Sequence, residues 1–209
     1  MKIKLLSIAM ILSAALVSCN QSETKHSEGE SSENTEMNGS EAKTYIVDLE
    51  ESTVTWKGSM LGVYDHTGIV NLSEANIATE GGIASGSFKI DMSSIVTTDG
   101  DALYKMASRE DFVGHLMSDD FFAVEQHPAS MFVIKSMEGN TITGDLTIRG
   151  ITHEEQVTDV IISEEAGNIT ASGNLVFSRK KYDIKYENKM GDMVIGDDIE
   201  LSVSLRSEE

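Results

Sequence analysis

Ile199-Glu200-Leu201-Ser202-Val203-Ser204-Leu205-Arg206 alternates apolar and polar side chains without a break. Successive side chains of an extended strand point to opposite faces, so four aliphatic groups share one face and four polar groups the other. That is the pattern of a half-buried strand in an antiparallel sheet. Working outward, the same period of two recurs at Val54 with Trp56, at Phe88 with Ile90 and Met92, at Phe132 with Ile134, at Leu146 with Ile148, and at Leu175 with Phe177. Glu80-Gly81-Gly82, Glu138-Gly139-Asn140 and Ala166-Gly167-Asn168 separate strand-like runs as hairpin loops do. The result is a meander of antiparallel hairpins.

One segment breaks the alternation. Between residues 101 and 117, Leu103, Met106, Phe112, Val113 and Leu116 cluster at three- and four-residue spacings, which predicts helix. Ser108 is placed to N-cap a second short helix with Asp111 at its third position, dividing the segment in two. A helical insertion among many strands indicates a closed barrel or a sandwich. No repeat of solenoid or propeller period is present.

The 209 residues suit one domain, and 40% apolar content suffices for one core. Thirty-five acidic against 16 basic side chains give a formal charge of -19, a field that repels nucleic-acid phosphates. The single cysteine excludes an internal disulfide framework and thiolate metal clusters.

That cysteine has a telling position. Lys2 and Lys4 precede a mostly apolar run over residues 5–17, too short to span ~30 Å of hydrocarbon, so residues 1–18 read as a signal peptide. Leu16-Val17-Ser18-Cys19 resembles the lipobox of bacterial lipoproteins, which makes Cys19 the expected lipidated residue and membrane anchor. Residues 19–43 are rich in Ser, Glu, Asn and Thr and bury too little apolar surface to order, so a self-repelling spacer is expected there. Residues 44–209 form the folded domain. The expected location is the bacterial cell envelope, facing the periplasm or the cell surface.

Within the domain, the series Tyr45-Ile46-Val47-Asp48, His66 with Gly68, Gly86-Ser87-Phe88, Ile90-Asp91-Met92-Ser93-Ser94-Ile95, His115-Leu116, Ser118-Asp119-Asp120-Phe121-Phe122, Gly144-Asp145-Leu146-Thr147-Ile148-Arg149-Gly150, and Phe177 with Arg179 resembles the YceI-like family. The resemblance implies an all-β fold, an extended antiparallel lipocalin-like barrel with a short helical insertion, around an apolar cavity for isoprenoid or other lipid-like chains. It places Trp56, Phe88, Ile90, Phe132, Ile134, Leu146 and Phe177 on the cavity wall, with Phe112, Leu116, Phe121 and Phe122 closing an end. His66, His115, Arg149 and Arg179 are candidates for polar groups at the mouth; for the two arginines, pairing with carboxylates is the plainer expectation.

His66, His115, His127 and His153 form no i,i+4 pair and no zincin signature, so no metal site is read. Ser93 and Ser94 lack a nucleophile elbow, and no set of Ser, His and acid declares itself, so no catalytic residue and no cofactor are expected. The expected function is non-enzymatic binding of an isoprenoid or fatty-chain lipid, as carrier or reservoir. The alternatives are an envelope enzyme using His66 or His115 on a bound lipid, and an empty barrel serving adhesion or assembly. A homodimer is left open.

Overall fold

The computed structural model describes residues 42–105, 107–187 and 194–208. The expected signal peptide, Cys19 and most of the expected spacer lie outside the described residues. The chain divides into two units, Met1–Asn38 and Gly39–Glu209, and the second holds the described strands.

Among the described residues nine strands run in chain order: β1 Lys43–Ile46, β2 Thr53–Met60, β3 Tyr64–Glu80, β4 Ile83–Thr97, β5 Ala129–Glu138, β6 Thr141–Ile148, β7 Ile151–Glu165, β8 Asn168–Ser178 and β9 Ile195–Arg206. All pairings among the described residues are antiparallel, in the order β1-β3-β2-β9-β8-β7-β6-β5-β4; β3 also pairs with β4 across their hairpin, which completes the circle, and the pairing of β2 with β9 joins the first and last strands of the meander. Eight strands, β2 to β9, form the closed barrel. β1 lies beside the far half of β3, Lys43 opposite Thr79 and Ile46 opposite Asn76, in line with β2. Closure removes the open edge that would otherwise template aggregation.

The predicted hairpin loops stand where the glycines put them, with Gly81, Gly82, Gly139 and Gly167 at positive φ. The helical segment is divided as the Ser108 signal predicts. Asp101–Leu103 makes one 3-10 turn, and α1 spans Arg109–Met117 behind a complete capping box. Ser108 Oγ accepts the Asp111 amide at 3.0 Å, while the Asp111 carboxylate accepts the Ser108 amide at 3.3 Å. This insertion packs on β4.

β3 and β4 do not pair evenly. The register slips between Ile69 and Asn71, where β4 spends Met92–Ile95 against a single residue of β3, and again between Leu72 and Glu74. Bulges of this kind bend a strand and sharpen its twist, which lets a long pair curl round to close a barrel. The Asn71 amide, which loses its ladder partner at the first slip, donates to Ser94 Oγ at 2.7 Å.

Along β9 the side chains that face inward, Ile199, Leu201 and Val203, are only half-buried. Phe88 and Ile90 of β4 behave likewise. These residues point away from solvent yet keep free surface, so the interior is hollow rather than filled.

Candidate functional site

Two chambers divide the hollow along the barrel. The first, of about 130 Å³, is walled by Trp56, Val70, Met92, Ile95, Phe177, Ile195 and Ile199, and α1 and the loop after it cover it with Phe112, Leu116, Phe121 and Phe122. The second, of about 90 Å³, is walled by Val54, Leu72, Ile77, Phe88, Phe132, Ile134, Ile142, Val157, Leu175, Val203 and Leu205. Ile90, Leu146 and Leu201 line both, which makes them the waist between two ends of one interior. Each chamber is comparable to the cavities of ~150 Å³ that take up a small aromatic molecule in a protein core. A slender chain therefore has to use both.

The wall owes its shape to glycines whose need is cross-strand. A Cβ on Gly68 would lie 2.5 Å from Trp56 Cε2 and Cζ2 and 1.9 Å from the Val96 carbonyl oxygen. Trp56 is the residue opposite Gly68 on β2, so its indole lies flat in the slot the glycine leaves. Gly144 does the same for Phe132: a Cβ there would meet Phe132 Cζ at 2.4 Å.

Every apolar residue assigned to the wall or the covered end by resemblance lies on one of the two chambers. The four polar candidates separate. His66 faces the first chamber. His115 is not among the residues lining either chamber; it stands against the rings of Phe121 and Tyr186, 3.3 Å from Asp120. Arg149 lines neither chamber; its guanidinium donates to the carbonyls of Asp119 at 3.2 Å and Phe121 at 2.5 Å and ties down the covering loop. Arg179 touches the first chamber but is 1% exposed. It donates to the carbonyls of Gly196, Ile184 and Tyr186 at 2.8–2.9 Å and pairs with Asp197 at 3.3 Å, so it staples β9 to the preceding segment with four of its five N–H donors committed to the fold.

Asp99 is the residue the sequence pattern missed. The register of the long β3–β4 hairpin, with Gly68 opposite Thr97, brings it to His66, whose Nδ1 donates to Asp99 Oδ2 at 2.6 Å, with both side chains largely buried. Tyr104 donates to the other oxygen and the Thr67 amide donates at 3.3 Å. Arg109 completes the group, with its guanidinium 4.5 Å over the Tyr104 ring and 3.6 Å from Asp99 Oδ1. Burial pushes the Asp99 carboxyl up, but the hydrogen bonds from Tyr104, His66 and Thr67 outweigh it and hold the pKa below the ordinary carboxylate value. Burial, and then the hydrogen bond to Asp99, push the Tyr104 phenol up. His66 is also stacked on Phe112, centroids 4.1 Å apart. Thirty-three residues separate His66 from Asp99, and they meet at the open end of the long β3–β4 hairpin.

A depressed carboxyl stabilises the fold above its unfolded pKa of about 3.9 and loses that contribution as the pH falls through the folded value. Asp99→Asn is expected to be less stable than the wild type at pH ~5 and to converge on it as the pH falls through about 3.9 toward ~2.5. Urea midpoints across that range measure the gap; a constant gap would assign the stabilisation to packing rather than to charge.

Residues 45–207 match the family described as the YceI-like domain. A UPF0312 protein of Staphylococcus epidermidis is 32% identical over 106 residues, 46% of this chain and 60% of the relative. A UPF0312 protein of Staphylococcus aureus is 33% identical over 101 residues, 43% and 57% of the two chains. The chain thus spans about 60% of the length of the curated relatives it matches. Among solved structures, BcnA of Burkholderia cenocepacia superposes with a TM-score of 0.64 at 20% identity, covering 78% of this chain and 99% of that one. A polyisoprenoid binding domain from Saccharophagus degradans, implicated in plant cell wall breakdown, gives 0.54 at 14% identity, covering 78% and 97%. At these identities the structures establish a shared fold.

Proposed function

The chain belongs to the YceI-like domain family, and on that premise we propose that its barrel takes up a long apolar molecule, an isoprenoid or other fatty chain, without chemical change, as a carrier or reservoir in the cell envelope. The observation that carries this reading is the two-chambered interior, walled almost throughout by aliphatic and aromatic side chains that keep free surface. Moving an apolar chain from water into such a space gains ~25 cal/mol per Å² before the costs of association. The solved polyisoprenoid binding domain with the same fold supports the same class of ligand.

Trp56 supplies the test, because it is the chain's single tryptophan and lines the first chamber. A dibrominated octadecyl chain is expected to quench its fluorescence saturably, since bromine quenches indole on contact. Quenching no greater than for free tryptophan would remove the ligand from the barrel. His66 held by Asp99 favours a second reading, an enzyme using that imidazole as a base on the bound lipid. Turnover of a bound lipid that is lost in Asp99→Asn would support it.

In the proposed setting, Cys19 carries the lipid anchor and residues 20–43 hold the barrel off the membrane. Cys19→Ser is expected to abolish incorporation of radiolabelled fatty acid and leave the melting temperature of the barrel unchanged. Label retained at the wild-type level would place the anchor elsewhere or nowhere.

A further inference from the structure

We propose that the end of the second chamber is a stop that sets the longest apolar chain the barrel takes in whole, and that Thr79, Glu164 and Tyr45 build it. The proposal rests on the apolar-ligand reading above and adds the length class of the ligand.

The second chamber reaches as far as Ile77 of β3, Ile162 of β7, Ala171 of β8 and Leu205 of β9. The period of two puts the next inward side chains at Thr79, Glu164, Ile169 and Ser207. Here the hollow ends. Thr79, Ile169 and Ser207 are buried, whereas Leu201 and Val203 on the chamber wall keep free surface.

One hydrogen bond shows how the end is closed. Thr79 Oγ1 donates to Glu164 Oε1 at 2.6 Å. In the circle of eight strands, β3 and β7 stand four places apart whichever way round they are counted. The bond therefore crosses the lumen instead of joining neighbours. Lys43 of β1 donates to the other carboxylate oxygen at 2.9 Å, and Ser207 Oγ accepts the Ile169 amide at 3.0 Å. Tyr45 lies just inside this crossbar, since it pairs with Ile77 on the same inward face and is buried. A chain end that pushed past it would strip Glu164 of its partners and leave a carboxylate against hydrocarbon, which is costly.

The opposite end of the interior is different in kind. The first chamber runs out to Met60 and Ile195, and the residues next to them, Leu61 and Val194, are more than half exposed. A chain enters there and is halted at the crossbar. From Ile195 to Leu205, both on the lining, the tilted β9 advances ~25 Å along the barrel axis, the extended length of about twenty carbons. A longer chain leaves its surplus outside.

The experiment offers a mixture of lengths to the full chain, which carries Cys19→Ser to keep any anchor out of the assay. Phosphatidylcholine vesicles loaded with equimolar methyl esters of saturated fatty acids, about 10 to about 28 carbons long, are incubated with the protein and floated off. The esters left in the protein are extracted and counted by mass spectrometry. A methylene gains little on moving from bilayer hydrocarbon to an apolar cavity, so occupancy is expected to stay level up to about twenty carbons. Beyond that length each further methylene stays in water, and occupancy is expected to fall about fourfold per carbon. Ala171→Leu, which fills the end of the second chamber, should move the break at least about two carbons shorter. Tyr45→Ala should move it longer by a similar amount, and Tyr45→Phe, which keeps the ring, should leave it in place. Occupancy that stays level through the longest ester, or a break that does not move in folded Ala171→Leu, would overturn the stop while leaving the apolar cavity standing. Absence of every ester from the protein would instead overturn the apolar-ligand reading itself. The wild-type series and Ala171→Leu decide the matter even where Tyr45→Ala does not fold.

Discussion

Gly68→Ala is expected to destabilise the barrel by roughly 3 kcal/mol, which for a domain of this size lowers the melting temperature by roughly 6–12 °C. The added methyl would stand 1.9 Å from the Val96 carbonyl oxygen and 2.5 Å from two atoms of the Trp56 ring. The ring is a side chain and can tilt, but the carbonyl belongs to the neighbouring strand. Relief there means prising β3 from β4 near the open end of their hairpin, where Ile69 still pairs with Val96. Gly100→Ala is the control: its Cβ would have nothing within 4 Å and its φ of -74° suits any residue. It is expected to stay within about 0.5 kcal/mol of the wild type. Thermal unfolding of the two variants decides the matter, and equal melting temperatures would mean that the Trp56 slot carries no strain.

Leu146→Trp is expected to separate the two chambers. Leu146 is 2% exposed and, with Ile90 and Leu201, borders both of them. A bulkier ring at the waist fills the passage at a stability cost of about 1–3 kcal/mol, which leaves the barrel folded. A chain long enough to need both chambers should lose at least about tenfold in affinity, because part of it must stay in water at ~0.8 kcal/mol per CH₂. A ligand small enough for one chamber, such as toluene, should bind nearly as before. Parallel losses for long and short ligands would show that the substitution collapses the interior rather than dividing it.

The sequence reveals some parts of this fold better than others, for physical reasons. β9 is legible because its alternation runs unbroken, and the hairpin loops are legible because their glycines answer to local backbone geometry. The Ser108 capping box is local too. β3 and β7, the longest strand and one of the two next longest, escape the same reading. Their bulges, between Ile69 and Asn71, between Leu72 and Glu74, and between Thr158 and Ile161, interrupt the period of two on which the reading depends. The apolar wall follows from resemblance and strand phase together. The polar group at His66 does not, because its partners Asp99, Tyr104 and Arg109 follow the end of β4 and meet it only through the register of a long hairpin that two bulges shift. Arg179 is legible only in part. The plainer expectation, pairing with a carboxylate, is met by Asp197, but the three backbone carbonyls that take most of its donors are brought together only by the folded chain. Gly68 and Gly144 carry no local signal for their role, since the side chains that need their space lie on the adjacent strands.

The central claim is that the hollow of the barrel is a binding site for an apolar chain. Organic extraction of the protein purified from membranes under native conditions, followed by mass spectrometry of the extract, tests it most directly. The account predicts an apolar molecule retained in near-stoichiometric amount by the wild type and depleted in Leu146→Trp. A wild-type protein that is folded and carries no apolar molecule, and that takes none up when incubated with a total lipid extract, would contradict it.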